Sequence, residues 1–451
     1  MMGSVASVYV GSCDPGDVDA IARHVQSALE ALGAVRPPGD VLLQPTCPWS
    51  HPRYAPEACT DLTTIEGVAR AFDGSPLALG VQSLPGFPTR YTTRQAGYDR
   101  LAARLGARLI RFDEAAFRPV PGATIGRPDG GATEATFELP AAWSAAAFRV
   151  SIPRLCGSTI LPFAGAVRHL YDLLPHAIQS AEHHRFVEAL ELLNRIAAPD
   201  LIVLDATRAT HEGGELSGAP IDLGMLIIGT DAVAVDLVAA SAYGVSDAEM
   251  GFLPTATSPG NAPRTVTDVE ILGDFSPDDL RERSGRVRRL DPNPEAFPLP
   301  AKVRVARSPR ARLTGPAGAL TEIFAMLRLA GISLDAARET TFVLGPAEAI
   351  PAGTTDYSTI VFLGDTARGE YSGYSRVVRL AGRNPPVSRL LQDVPFAMTV
   401  ANVRSDLGWQ FMVAGLGAQV ARGLARMGGA GAAGAVPPPS KGGGDRSDSD
   451  R

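Results

Sequence analysis

The chain has 451 residues, 45% of them apolar, and a formal net charge of −6. That length allows two domains with ordinary cores. The acidic balance gives no electrostatic footprint for nucleic acid and argues against an acidic membrane surface.

In chain order, Asp17–Ala34 is predicted as a helix. Val18, Ile21, Val25, Leu29 and Leu32 recur at three- and four-residue spacing, and Gly33 stops it. Val41–Leu43 is a short buried strand. Thr63–Phe72 is helical, with Thr63 or Thr64 as the cap. Leu77–Val81 is a strand, Arg94–Leu105 a helix and Arg108–Phe112 a strand. Strands separated by helices of this length imply βαβ units and a largely parallel sheet. Asp129-Gly-Gly131 marks a turn, and Thr136–Leu139 and Phe148–Ile152 add strands. Ala181–Ala197 is an amphipathic helix with Pro199 just beyond it. Strand 201–205, loop 206–223, strand 224–229 and helix 231–243 complete the pattern. Residues 276–300 are charged and Pro-rich and read as a linker. A second module follows, with a helix at Gly318–Leu329 and strands at Thr341–Leu344, Thr359–Leu363 and Val377–Leu380. An amphipathic segment spans Leu407–Met427. After Met427, Gly, Ala, Pro, Ser and Asp dominate, which reads as a disordered tail.

The expectation is an α/β protein: residues 1–275 with a largely parallel sheet flanked by helices, a linker at 276–300, a smaller α/β module with a C-terminal helix at 301–427, and the tail at 428–451. The N-terminus lacks a basic segment followed by a long apolar run, so no signal peptide is read, and no apolar run reaches transmembrane length. The expected location is cytoplasmic.

Chemistry concentrates between Ser151 and Gly244, which holds five of the seven histidines. Of 42 basic residues only Lys302 and Lys441 are lysine. Nothing before Lys302 can therefore supply a Schiff-base amine or a phosphate-loop lysine. His184, near the start of a helix, could pair with Glu188 or serve as acid, base or metal ligand, or be one of an exposed pair of histidines with His183. Asp205 ends a strand at the carboxyl edge of the sheet, where α/β proteins bind ligands, or serves as a turn aspartate. In His211-Glu-Gly-Gly-Glu-Leu-Ser-Gly218, Gly213 permits close backbone approach. Glu212 and Glu215 offer carboxylates to a cation. Asp231 is placed to cap a helix. Asp236 lies inside an otherwise apolar helix, where a carboxylate needs a partner or its pKa rises. Arg154 and Arg168 flank Gly157-Ser-Thr159 and would hold an anion, or pair with Asp205 or Asp236. Cys13, Cys47, Cys59 and Cys156 form no C-x-x-C, so neither zinc nor an iron–sulfur cluster is expected. A divalent metal stays open.

These motifs together resemble the domain of unknown function 362 family, whose members are often iron–sulfur-associated. The likeness covers about residues 5–250. It is carried by Val41-Leu-Leu-Gln-Pro-Thr46, Pro153-Arg-Leu-Cys-Gly-Ser158, Gly165-Ala-Val-Arg-His-Leu-Tyr-Asp172, His184, Asp205, Glu212-Gly213 with Ser217-Gly218, and Asp231-Ala-Val-Ala-Val-Asp236. The resemblance implies a fold and a site location. Family lysines appear here as Gln44, Arg154, Cys156 and Arg168, and a family histidine as Ser158. Arginine can keep anion binding but not acid–base work. The ferredoxin-like cysteines of many relatives are absent.

Two readings follow. One is an enzyme on a small anionic metabolite: Arg154, Arg168, Glu212, Gly213 and Asp231 bind it, and His184, Asp205 and Asp236 act in proton transfer or orientation. The alternative is a non-catalytic binding or assembly protein that docks a protein partner through its C-terminal helix. Neither reading expects nucleic acid or a membrane.

Overall fold

The computed structural model describes residues 5–125, 135–182, 185–253, 263–308, 315–382 and 385–427. The Asp129-Gly-Gly131 turn, His184 and the 428–451 tail lie outside them.

The strands are β1 (Ala6–Ser12), β2 (Val41–Pro45), β3 (Leu77–Val81), β4 (Arg108–Arg111), β5 (Phe117–Ile125), β6 (Ala135–Pro140), β7 (Phe148–Ile152), β8 (Leu201–His211), β9 (Ala219–Gly229), β10 (Val269–Gly273), β11 (Val303–Arg307), β12 (Thr340–Pro346), β13 (Thr359–Arg368) and β14 (Arg376–Leu380). The main sheet has the order β10-β1-β9-β8-β7-β2-β3-β4. Every neighbouring pair is parallel except those of β9, which runs antiparallel to both β1 and β8. A second sheet, β11-β12-β13-β14, is wholly parallel. β5 and β6 form a separate antiparallel pair. The protein is therefore α/β with a mostly parallel central sheet and a second sheet module. Among the described residues no helix is long and apolar enough to cross a membrane.

The main sheet is covered on both faces, so its inner strands read as continuous apolar runs. Successive side chains alternate between the layers. Ile202, Leu204 and Ile227 pack on the side of helix Ala232–Tyr243. Leu201, Val203, Leu226 and Ile228 pack with Ile21, Val25 and Ile65 on the other. The Ala232–Tyr243 helix is buried along nearly its whole surface, as an all-round apolar helix must be.

A third core joins Trp49, Tyr54 and Phe87 to Ile323, Phe324 and Phe342 of the second module. Trp49 stacks on Phe87 at 4.5 Å between ring centroids. Between the modules, helix Pro277–Ser284 is capped by Ser276, and Phe297 is buried in this third core. The last helical stretch, Val403–Met427, breaks at Gly408 (φ 66°, ψ 179°). Its Phe411 packs edge-on against Tyr91, while Trp409, Met412, Val413, Leu416 and Val420 face solvent.

Several local expectations need correction. The 94–105 helix is two helices, Thr89–Gln95 and Tyr98–Arg104, because Gly97 takes φ 83° between them, a conformation helices exclude. The 181–197 helix is likewise two, His176–Glu182 and Phe186–Ile196. The second starts from a non-helical Arg185, which pairs with Glu188. Asp61, not a threonine, caps helix Leu62–Ala71, since its carboxylate accepts from the Thr63 amide at 2.9 Å. The largest correction concerns the segment read as a loop from 206 to 223. β8 and β9 pair along it from Arg208↔Asp222 to His211↔Ala219, leaving only 212–218 as the turn. Ala206, Ala209, Ile221 and Leu223 face the core, and Arg208 meets Asp222 at 3.0 Å across the strands.

Candidate functional site

The polar cluster forms where helix Ala166–His169 meets the β8–β9 turn. This helix is too short to stand alone. Its first two amides, Ala166 N and Val167 N, donate to Asp236 Oδ1 and Oδ2 at 2.7 and 2.9 Å. That is the partner the buried carboxylate of the apolar helix required. Burial raises Asp236 to about 7, and the two amide bonds pull it back. Asp231 caps its own helix by accepting from Val233 N at 2.8 Å and Ala234 N at 3.0 Å. Neither aspartate reaches the cluster's interior; both fix the elements that build it.

Arg168 occupies the centre. Nε and Nη2 donate to Glu215 Oε1 and Oε2 at 3.0 and 2.7 Å. Nη1 donates to Asp172 Oδ1 at 2.8 Å. The fork is bidentate on one carboxylate and shared with a second. Burial disfavours the guanidinium charge, but Glu215 and Asp172 outweigh it, so Arg168 stays protonated. Arg154 is equally buried. It donates from Nη1 to the Cys59 carbonyl at 2.7 Å and from Nη2 to Glu57 Oε2 at 2.9 Å, and its Nε has no partner. Asp205 lies in the same layer, yet its carboxylate is fully engaged. Oδ2 accepts from Thr64 Oγ1 at 2.7 Å, and Oδ1 from Thr207 Oγ1 and N at 2.7 and 3.1 Å. Burial pushes its pKa up, with Arg154 opposing.

His169 was not singled out from the sequence. Its Nδ1 lies 2.9 Å from Ser151 Oγ, and Nε2 makes no hydrogen bond. Burial lowers it to about 4, so the ring is neutral near pH 7. Arg154, Cys156, Arg168, His169, Asp172 and Glu215 line a tight inner pocket. Burial raises the Cys156 thiol far above the physiological range, which leaves it inert as a nucleophile.

A larger cleft also borders the Arg168–Glu215 pair. Leu84, Ile160, Tyr171, Phe186 and Leu216 form apolar walls, and helix Gly315–Leu329 of the second module closes it with Glu322. Glu322 Oε1 accepts from Leu216 N and Ser217 N at 2.7 and 3.0 Å, which holds the turn bearing Glu215. The backbones here touch. A Cβ on Gly157 would come 2.0 Å from the Gly213 carbonyl, and one on Gly214 1.8 Å from Glu322 Oε2.

The structure thus brings together Arg154, Arg168, Gly213 and Glu215, with Asp205, Asp231 and Asp236 behind them. It directs Glu212 elsewhere. Glu212 has φ 57° and lies 3.5 Å from Arg288. It lines a separate pocket with Arg289, Phe297 and Arg328. His184 lies outside the described residues. Its chain neighbours Gln179, Ser180 and Phe186 line the large cleft. Glu57, Asp172, His169 and Glu322 were missed by sequence reasoning. Only Asp172 carried a local signal, four residues beyond Arg168 on one helical face. All four cysteines are free. Among the described residues there is no group of three or more His, Cys, Asp or Glu that could hold a metal ion.

Residues 41–241 match the model of the family described as domain of unknown function (DUF362). This segment is a DUF362 domain. The Asp205 strand, the β8–β9 turn, helix Ala166–His169 and Asp236 all fall within it, whereas Glu322 comes from outside. No curated protein matches the sequence. Among solved structures, the lactate racemase apoprotein from Thermoanaerobacterium thermosaccharolyticum is similar at 13% identity and a TM-score of 0.30. The likeness covers 52% of this chain and 57% of that one. This chain therefore spans little more than half the length of that protein, and at that score the likeness carries no argument about the DUF362 domain's chemistry.

Proposed function

We propose that the chain is an enzyme that takes a small molecule into the cleft between the DUF362 domain and the second module. The observation that carries this reading is the buried Arg168–Glu215–Asp172 network. Its Arg168 and Glu215 line the cleft between apolar surfaces, the usual composition of a small-molecule site. Arg168 supplies a fixed charge, and Glu215 supplies an acceptor whose position Glu322 sets. Asp236 and Asp231 are positioning residues, acting through the helices they cap. His184 is the proton-transfer group of this reading.

An anionic substrate would need a cation free to receive it. Arg154 and Arg168 direct their donors to Glu57 and to Glu215 with Asp172, and Arg154 Nε alone lacks a partner. Charge at the cleft therefore supports a neutral or cationic group better than an anion.

Native mass spectrometry of anaerobically purified protein tests the reading. A small molecule should co-purify, and Ile160→Trp, which fills the cleft mouth from a half-exposed position, should lose it. Equal retention by the variant would remove the cleft from consideration. For the compound so identified, His184→Ala should abolish turnover while circular dichroism stays unchanged; undiminished turnover would strip His184 of its role.

A further inference from the structure

The cleft has an unusual charge balance. Among its described lining residues Arg168 is the cation, and Glu215 and Glu322 are the carboxyls. Arg168 is already matched by Glu215 and by Asp172 behind it. Among the described residues Glu322 is therefore in excess. It is 4% exposed, uses only Oε1 toward the Leu216 and Ser217 amides, and leaves Oε2 without a hydrogen-bond partner. A buried carboxyl oxygen with no donor is costly, and none of the described cations on the cleft wall is free to relieve it. Beside it stand the Tyr171 and Phe186 rings, each already facing the Arg168 guanidinium, at 5.8 and 5.7 Å from its carbon. Ring faces and carboxylates attract the same charge.

We propose that the cleft binds an ammonium group carried on an apolar body of about one ring, with the ammonium held by Glu322 and Glu215. The proposal rests on the small-molecule reading of the same cleft and names its ligand class. An ammonium supplies both things the site lacks: a positive charge and hydrogen-bond donors. A hydroxyl supplies a donor without the charge, and a carboxylate adds to the excess. The apolar body lies along Leu84, Ile160 and Phe186.

Burial raises Glu322 to about 7, and Glu215 adds to the rise. Among the described residues, the titratable groups acting on it are Glu215 on the turn and the Cys156 thiol, which stays protonated, and Arg168 on helix Ala166–His169 lines the same cleft. Loss of the Glu322 proton completes the cation site, so affinity for an ammonium rises with pH up to about 7 and levels off above it.

Isothermal titration with a matched set, phenethylamine, 2-phenylethanol and 3-phenylpropionate, tests the proposal on the full chain. The amine should bind at least about tenfold tighter than the alcohol near neutral pH. It should weaken by up to about tenfold per pH unit below the Glu322 midpoint. Glu322→Gln keeps the Oε1 acceptor and should erase both the preference and the pH dependence. If that variant fails to fold, the pH dependence of the unaltered chain decides alone. Equal binding of amine and alcohol, or tighter binding of the carboxylate, overturns the ammonium assignment; if that binding is still blocked by Ile160→Trp, the cleft reading survives. Amine binding that Ile160→Trp leaves untouched overturns the placement, and no binding by any of the three overturns both.

Discussion

Replacing Arg168 by Met is expected to destabilise the fold by ~3–5 kcal/mol, the range for removing one partner of a buried ion pair. The size follows from what stays behind. Glu215 and Asp172 would remain buried, each without the donor it now has, and their mutual repulsion would no longer be offset. Urea denaturation checks this. A loss below ~1 kcal/mol, the range of an exposed pair, would show that solvent reaches the network. Arg168→Lys should fall between, because an ammonium keeps the charge but cannot bridge both Glu215 oxygens and Asp172 in one plane. Replacing all three residues by apolar ones of similar volume should recover much of the loss while still abolishing any ligand binding at the cleft. Buried charge triads are often dispensable for stability, so that outcome would separate their structural and functional worth.

The second large effect is expected at Asp236. Asp236→Ala leaves the Ala166 and Val167 amides buried and unpaired, at ~1–3 kcal/mol each. Helix Ala166–His169 should fray, and Arg168 and His169 would move with it. The same residue gives a pH signature. Its carboxyl has an ordinary value of 3.8 and rises to about 7 in the folded chain. The folded state therefore holds a proton that the unfolded chain has released. The stability that Asp236 contributes is complete below the lower value and is lost as pH rises through the upper one. Glu322, raised from 4.5 to about 7, acts in the same direction. Asp236→Asn should flatten the fall in stability across that window, measured as urea midpoints at several pH values. A slope as steep as that of the unaltered chain would mean that other groups carry it.

Much of this architecture was legible because its signals are local. Apolar runs flanked by turn residues located β2, β3, β7 and, in the second module, β12, β13 and β14, and Asp231 announced the helix it caps. Asp236 was recognisable as a residue in need of a partner, since a carboxylate among Ala and Val has no other way to be buried cheaply. The partner itself, two amides some seventy positions earlier, has no sequence signature. Glu57 and Glu322 were invisible for the same reason: each meets its partner only after distant segments pack. The β8–β9 hairpin was misread because Thr207, Arg208 and Asp222 are polar, and polarity resembles a loop when the cross-strand pairing of Arg208 with Asp222 is unknown. Gly97 was overlooked because the apolar spacing continues across it although the backbone does not.

The aromatic core shared by Trp49, Tyr54 and Phe87 with the second module bears on how such chains can be recombined. A crossover at residues 276–300 would deliver a first segment whose Trp49 and Phe87 lose their partners in the second module and a second whose Phe324 has lost a lining. Exchange between relatives must therefore carry the 46–58 loop along with the distant module it serves. Inheritance in this chain follows the packing across that core, which the linear order of its segments does not reveal.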